Sequence, residues 1–168
     1  MAPLYGRALR GKRVVDDVSH GHWKTTTFIA SLQSDGLRAP MVIDGAINGE
    51  LFLAYVEQEL VKTLKEGDTA VMDNLSSHKV AGVQVAIERT GAQIVYLPQY
   101  SPDFNPIENV FSKLKSLVRK LKLRTMEALW QRLGELCDVF LHDECKNYFK
   151  HAGYKTRKKN SILKLNTF

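Results

Sequence analysis

The chain has 168 residues, 44% of them hydrophobic, which is about one domain with a sizeable core. The formal net charge of +6 at pH 7 points to a polyanionic partner, nucleic acid first. No apolar run reaches the roughly 18 residues of a transmembrane helix, and two cysteines supply no disulfide framework, so a cytoplasmic protein with no membrane partner is expected.

The opening segment, residues 1–23, is rich in Gly and Arg and has no clean period. Its start, "MAPLYGRALRGKR", is charged without an apolar stretch and does not read as a secretory signal. Lys24 to Leu32, "KTTTFIASL", is β-branched and aromatic and predicts a strand. "SDG" is a turn signal, and Ala39 to Ile47 predicts the returning strand of a hairpin. Asn48 predicts the N-cap of a helix carrying Phe52, Tyr55, Val56, Leu60 and Leu64 at helical spacing and ended by Gly67. "TAVMD" predicts a short buried strand closed by Asp73. Ser76 or Ser77 predicts the cap of a helix running to about Arg89, and "AQIVYLP" predicts another buried strand. Strands and helices in alternation imply parallel pairing through right-handed crossovers. A helix after Asn105 keeps Ile107, Val110, Phe111, Leu114, Val118 and Leu121 on one side. A last helix from near Thr125 carries Leu129, Trp130, Leu133, Leu136 and Phe140. Residues 1–154 then form one α/β domain, and 155–168 read as a loose basic tail, with four cations between Lys155 and Lys159.

Two carboxylates stand out. Asp73 ends a predicted strand, where open α/β sheets place their ligand sites. Glu108 lies in the first turn of the helix that follows the next strand, so both acids can reach one sheet edge and suit Mg²⁺. Simpler roles exist for both. Asn105, Pro106 and Glu108 match an N-cap, a first-turn proline and a capping box, and Asp73 can close an Asx turn with Asn74. Between Pro106 and Thr125 there are six cations (Lys113, Lys115, Arg119, Lys120, Lys122, Arg124) and one acid, Glu108. At 100° per residue, Lys115 and Arg119 fall within about 20° of Glu108. A lone acid heading a cationic stripe fits a metal ligand beside a phosphate track, and equally an ordinary solvated face.

"VMDNLSSHK" followed by "YLPQYSPDFNPIENVFSKLK" resembles the catalytic half of DDE transposases of the mariner superfamily, in particular the bacterial insertion-sequence branch. Asp73, Asn74 and His78 match its Asp-Asn-x-x-x-His signature. Tyr100, Ser101, Pro102, Asn105, Pro106, Ile107 and Glu108 match its Tyr-Ser-Pro-x-x-Asn-Pro-Ile-Glu signature. The 34 residues between the two acids match the family's spacing, and weaker matches extend the resemblance over roughly residues 4 to 154.

The resemblance implies a ribonuclease-H-like fold, a mixed five-stranded sheet flanked by helices. It also implies three acids holding two divalent ions, Mg²⁺ or Mn²⁺, for in-line displacement at a DNA phosphate. Asp73 is the second acid in that scheme and Glu108 the third, both catalytic metal ligands. Asn74, His78 and Asn105 support them, and Lys113, Lys115, Arg119, Lys120 and Lys122 contact DNA. The implied partners are transposon ends and target DNA, a second copy of the chain as a homodimer, and an upstream-encoded transposase half. The family's first acid lies in its first strand, just before the point at which the matched segment opens. The expectation is therefore a catalytic domain with its first strand missing and two sheet edges unpaired, unable to cut DNA alone, marginally stable and prone to aggregate. Asp16, Asp17 and Asp44 are weak substitutes for the first acid.

Two readings compete with an active domain: a catalytically inactive remnant that binds DNA non-specifically, and a basic α/β interaction domain whose acids are only caps. Cys137, His142, Cys145 and His151 match no zinc spacing, and both thiols read as packing or surface residues. Trp23 and Trp130 read as core rather than as base-stacking platforms.

Overall fold

The computed structural model describes residues 6–15, 25–99, 101–123, 125–154 and, as backbone, 160–167. Its centre is a mixed five-stranded sheet. β1 (Thr26–Gln33) and β2 (Gly36–Asp44) form the predicted antiparallel hairpin. β3 (Thr69–Met72) and β4 (Gln93–Tyr96) pair in parallel, as the crossover argument requires.

The fifth strand is the main departure from expectation. Asn160–Thr167, part of the segment predicted as a loose tail, forms β5 at the middle of the order β2-β1-β5-β3-β4. It runs antiparallel to β1, with Leu32 opposite Ile162, and parallel to β3, with Val71 opposite Ile162. The two unpaired edges expected between β1 and β3 are therefore both paired, and the reason given for aggregation no longer holds.

Helices cover both faces, so the inner strands bury side chains in both directions. On one face Phe28, Ala30, Leu32 and Val71 pack against α3 (Ile107–Leu121), α4 (Met126–Cys137) and α5 (His142–His151). On the other, Ile29, Ala70 and Met72 pack against α1 (Gly49–Tyr55), the turns that continue it to Thr63, and α2 (Val83–Glu88). The alternation along β1 and β3 is the period-two pleat of a sheet covered twice. Phe28 meets Phe111 edge to face, with ring centroids 5.9 Å apart.

Several elements differ from their predicted form. Asn48 caps α1 as expected, its Oδ1 accepting from the Leu51 N–H at 2.8 Å. Ser76 and Ser77 do not start α2. They lie in a 3₁₀ turn, Ser76–Lys79, after which Val80 is extended and Gly82 has φ of 106°, a value that favours glycine. β4 is an edge strand rather than a buried one, with Val95 47% exposed. The last predicted helix is two: α4, capped by Thr125 Oγ1, and α5, which was not anticipated. Phe140 lies between them, and Trp130 is 39% exposed rather than core. Among the described residues no helix is long and apolar enough to cross a membrane.

Candidate active site

β3 and β4 end side by side, the Leu97 N–H donating to the Met72 carbonyl at 2.7 Å. The chain leaving β3 begins with Asp73. The chain leaving β4 runs through Pro98 and Ser101 to a 3₁₀ turn, Pro102–Phe104, and then to Asn105 and α3. Between these two exits lies a cavity of about 360 Å³, whose polar wall includes Asp73, Asn74, Ser101 and Asn105. The Asp73 and Asn105 singled out in the sequence are thus brought to one place. Glu108 stands in the first turn of α3, half-buried, and is not part of the cavity wall.

His78 fixes Asp73. Its Nδ1 lies 2.5 Å from Asp73 Oδ1, although without hydrogen-bond alignment, and 3.3 Å from the Asp73 carbonyl. The ring is fully buried, packed on Phe52 with centroids 4.4 Å apart, and the Tyr96 hydroxyl donates to the His78 carbonyl at 3.1 Å. None of the described residues hydrogen-bonds Asp73 Oδ2, the other carboxylate oxygen.

The predicted cap at Asn105 is not made. Its backbone does the work: the Asn105 N–H donates to Pro102 O at 2.9 Å, and its carbonyl accepts from the Glu108 N–H at 3.1 Å. The side chain, 2% exposed, has no partner for either Oδ1 or Nδ2 among the described residues, and Asn74 Oδ1 is buried without one as well. The loop is held from behind by Tyr154, whose hydroxyl donates to the Phe104 carbonyl at 2.9 Å.

The donor set around Asp73 is all oxygen: a carboxylate and two amides. It suits a hard divalent cation, which takes one or two carboxylates and keeps waters. Among the described residues no three His, Cys, Asp or Glu side chains converge, so these residues alone do not make up the expected three-acid set. Asp44 ends the edge strand β2, separated from β3 by two strands, and cannot join the set. Asp16, Asp17 and Tyr100 lie outside the described residues.

The cationic stripe on α3 is not uniform. Lys113 binds Glu144 of α5 through both carboxylate oxygens, at 2.7 and 2.8 Å, and its ammonium lies 5.0 Å from the Phe140 ring centre. It ties two helices together and is a poor phosphate ligand. Arg119 and Lys120 are exposed near the end of α3, and Lys122 follows as its left-handed C-cap. Burial, and then Arg119, pull the Lys115 ammonium below its usual value. Both thiols pack inside, and burial pushes each up to about 11, so neither is a metal-ready thiolate.

Fold comparison agrees with this layout. The chain is similar to a Mos1 transposase paired-end complex with the left transposon end, at 13% identity and a TM-score of 0.61, over 89% of this chain and 50% of that one. It is similar to the Mos1 strand transfer complex, at 13% identity and a TM-score of 0.66, over 87% of this chain and 45% of that one. It is also similar to the catalytic domain of Mos1 mariner transposase, at 14% identity and a TM-score of 0.53, over 71% and 63%. The chain thus spans about half the length of the two Mos1 chains in those complexes, and the shared fold is the ribonuclease-H-like one. No curated protein sequence matches it. The family model described as DDE superfamily endonuclease matches residues 1–130, most of the chain, and the chain belongs to that family.

Proposed function

We propose that this chain is the catalytic domain of a transposase of the bacterial insertion-sequence branch, acting in the cytoplasm on transposon ends and target DNA. The observation that carries this reading is the position of Asp73. It lies at the carboxyl end of β3, pinned by His78, and opens on a cavity whose far wall leads into α3. Asp73 would hold a divalent cation, Mg²⁺ or Mn²⁺, with the Asn74 and Asn105 amides beside it and Glu108 approaching from α3. When bound, such an ion supplies charge stabilisation at a DNA phosphate and a more acidic water. His78 keeps one Asp73 oxygen oriented, and Lys115, Arg119, Lys120 and Lys122 are the cations assigned to the DNA backbone. Lys113 is left out because Glu144 occupies it.

The reading as a fragment in need of another acid rests on the sheet. The strand beside β3 is β5, and its sequence, "NSILKLNT", contains neither Asp nor Glu. A third carboxylate would come from outside this sheet: from Asp16 or Asp17, from an upstream-encoded half, or from a second copy of the chain. The same observation favours the second reading, a non-catalytic domain that binds DNA through its basic surface.

The test is a Mn²⁺ titration and a nicking assay on the purified chain and its Asp73→Asn variant. Expected are Mn²⁺ binding that Asp73→Asn weakens at least tenfold, an unchanged fold, and no nicking by either protein. Equal Mn²⁺ binding by both proteins would remove the metal site. If salt-sensitive binding to duplex DNA persisted all the same, the non-catalytic reading would stand in its place.

A further inference from the structure

Asn105 is a residue type selected for capping, at a helix start, and it does not cap. Its backbone groups are both satisfied, by Pro102 O and by the Glu108 N–H, so the loop and the helix start need nothing from the amide. Yet the amide is almost wholly buried and both of its polar atoms lack partners among the described residues, so exchanging the two by an amide flip changes nothing. A buried amide left unpaired is costly, and native structures rarely keep one without a ligand or water for it. Water can serve it at rest, since the cavity is roomy and polar on this side.

The position of the amide says what replaces that water. It shares the cavity wall with Asp73, and Asn74 presents a second buried, unpartnered oxygen there. An amide offers one donor and one acceptor together. Beside a carboxylate that holds a cation, the two matching groups are an anionic oxygen, which accepts, and a cation's water, which donates. Every phosphodiester drawn to such an ion brings the first, and every hydrated Mg²⁺ or Mn²⁺ brings the second.

We propose that Asn105 is a substrate-positioning residue: Nδ2 donates to a non-bridging oxygen of the DNA phosphodiester, while Oδ1 accepts from water on the cation at Asp73. This rests on the metal site proposed above and adds the group that seats the phosphate against it. The amide is kept for binding and not for folding. Its removal should therefore weaken the ligand and leave the fold intact or firmer, because an unpaired buried polar group is exchanged for an apolar one.

The experiment measures binding of a short DNA duplex by fluorescence anisotropy, with Mn²⁺ and with EDTA. Melting temperatures of wild type, Asn105→Ala, Asn105→Asp and Asp73→Asn are recorded alongside. Expected for Asn105→Ala is loss of about tenfold in affinity with Mn²⁺, no change in EDTA, and a melting temperature equal to wild type or higher. Asn105→Asp should keep Mn²⁺ binding and lose the duplex, since a carboxylate accepts but cannot donate to phosphate. Full retention of the Mn²⁺-dependent gain by Asn105→Ala overturns the proposal. So does a fall in its melting temperature with equal losses in Mn²⁺ and EDTA, which marks a structural amide. A gain lost in Asn105→Ala but kept in Asp73→Asn leaves Asn105 in its role and removes the cation from Asp73. A wild type without any gain removes both.

Discussion

His78 acts on Asp73 through an imidazole that no solvent reaches. Its Nδ1 lies 3.3 Å from the Asp73 carbonyl and in close contact with Oδ1 of the same residue, so ring and carboxylate pack as a unit. Phe52 below and the Tyr96 hydroxyl behind hold that unit against the core. Partners that orient a metal-binding carboxylate typically matter by 10- to 100-fold in affinity. His78→Ala is therefore expected to lower Mn²⁺ affinity about 10- to 100-fold and to cost about 2–4 kcal/mol of stability through the cavity it leaves. A titration and a urea melt on the same preparation check both. Mn²⁺ binding unchanged after loss of the ring would mean that Asp73 needs no orientation. At this scale the sequence was informative about identity and silent about state. It singled out Asp73, Asn74, His78 and Asn105, and the structure gathers Asp73, Asn74 and Asn105 at one cavity, with His78 behind Asp73. It did not say that Asn105 leaves its cap unmade, because the competing donor and acceptor are backbone groups of residues three positions away on either side.

Among the elements, α3 carries the most weight. It packs Ile107, Val110, Phe111, Leu114 and Val118 against β1 and β3, and it delivers Glu108 to the vicinity of the site. Its tie to α5 is the Lys113–Glu144 pair, with the Tyr148 hydroxyl 2.5 Å from the same carboxylate. Burial alone would raise the Glu144 carboxyl, but the hydrogen bonds from Lys113 and Tyr148 outweigh it and hold the group below its usual value. A carboxylate lowered in the folded state stabilises above the ordinary glutamate value of about 4.3, and that contribution is lost as the pH falls below it. Glu144→Gln should therefore lower the melting temperature slightly at pH 7, change it little in acid where the contribution is already lost, and so flatten the acid limb of a plot of melting temperature against pH. The effect stays within about 1 kcal/mol, since the pair is about one-third exposed. An unchanged acid limb would rule the tie out as an acid-sensitive contact. α3 was legible because its apolar stripe is wide and regular. α5 was not, since "HDECKNYFKH" buries only Cys145 and Phe149, too few for a period to show. β4 looked buried by composition, but burial of a strand depends on whether another strand lies beyond it, and among the described residues none does.

For the whole molecule, β5 decides whether there is one sheet or two. Remove it and β2-β1 and β3-β4 become separate pairs, each marginal in water. Ile162 is opposite Leu32 on one side and Val71 on the other. Ile162→Pro removes a donor from the centre of the sheet and is expected to cost about 3 kcal/mol or more, seen as a lower and broader melting transition. A melt identical to wild type would show that the sheet holds without this strand. Local patterning had no means of finding β5. The run of cations from Lys155 to Lys159 reads as solvated chain, and the strand's partners are Thr27 to Leu32 and Thr69 to Met72, far away in sequence.

That arrangement also sets an order of events during synthesis. β1 and its hairpin partner emerge early, and β3 and β4 follow, but the strand that joins them is made after all the other elements. Until then the growing chain holds two half-sheets with open edges, and neither can close on the other. Pairing between such distant segments is slow, and exposed edges are where nascent chains associate wrongly. The domain can therefore become a single cooperative unit only once β5 has been translated.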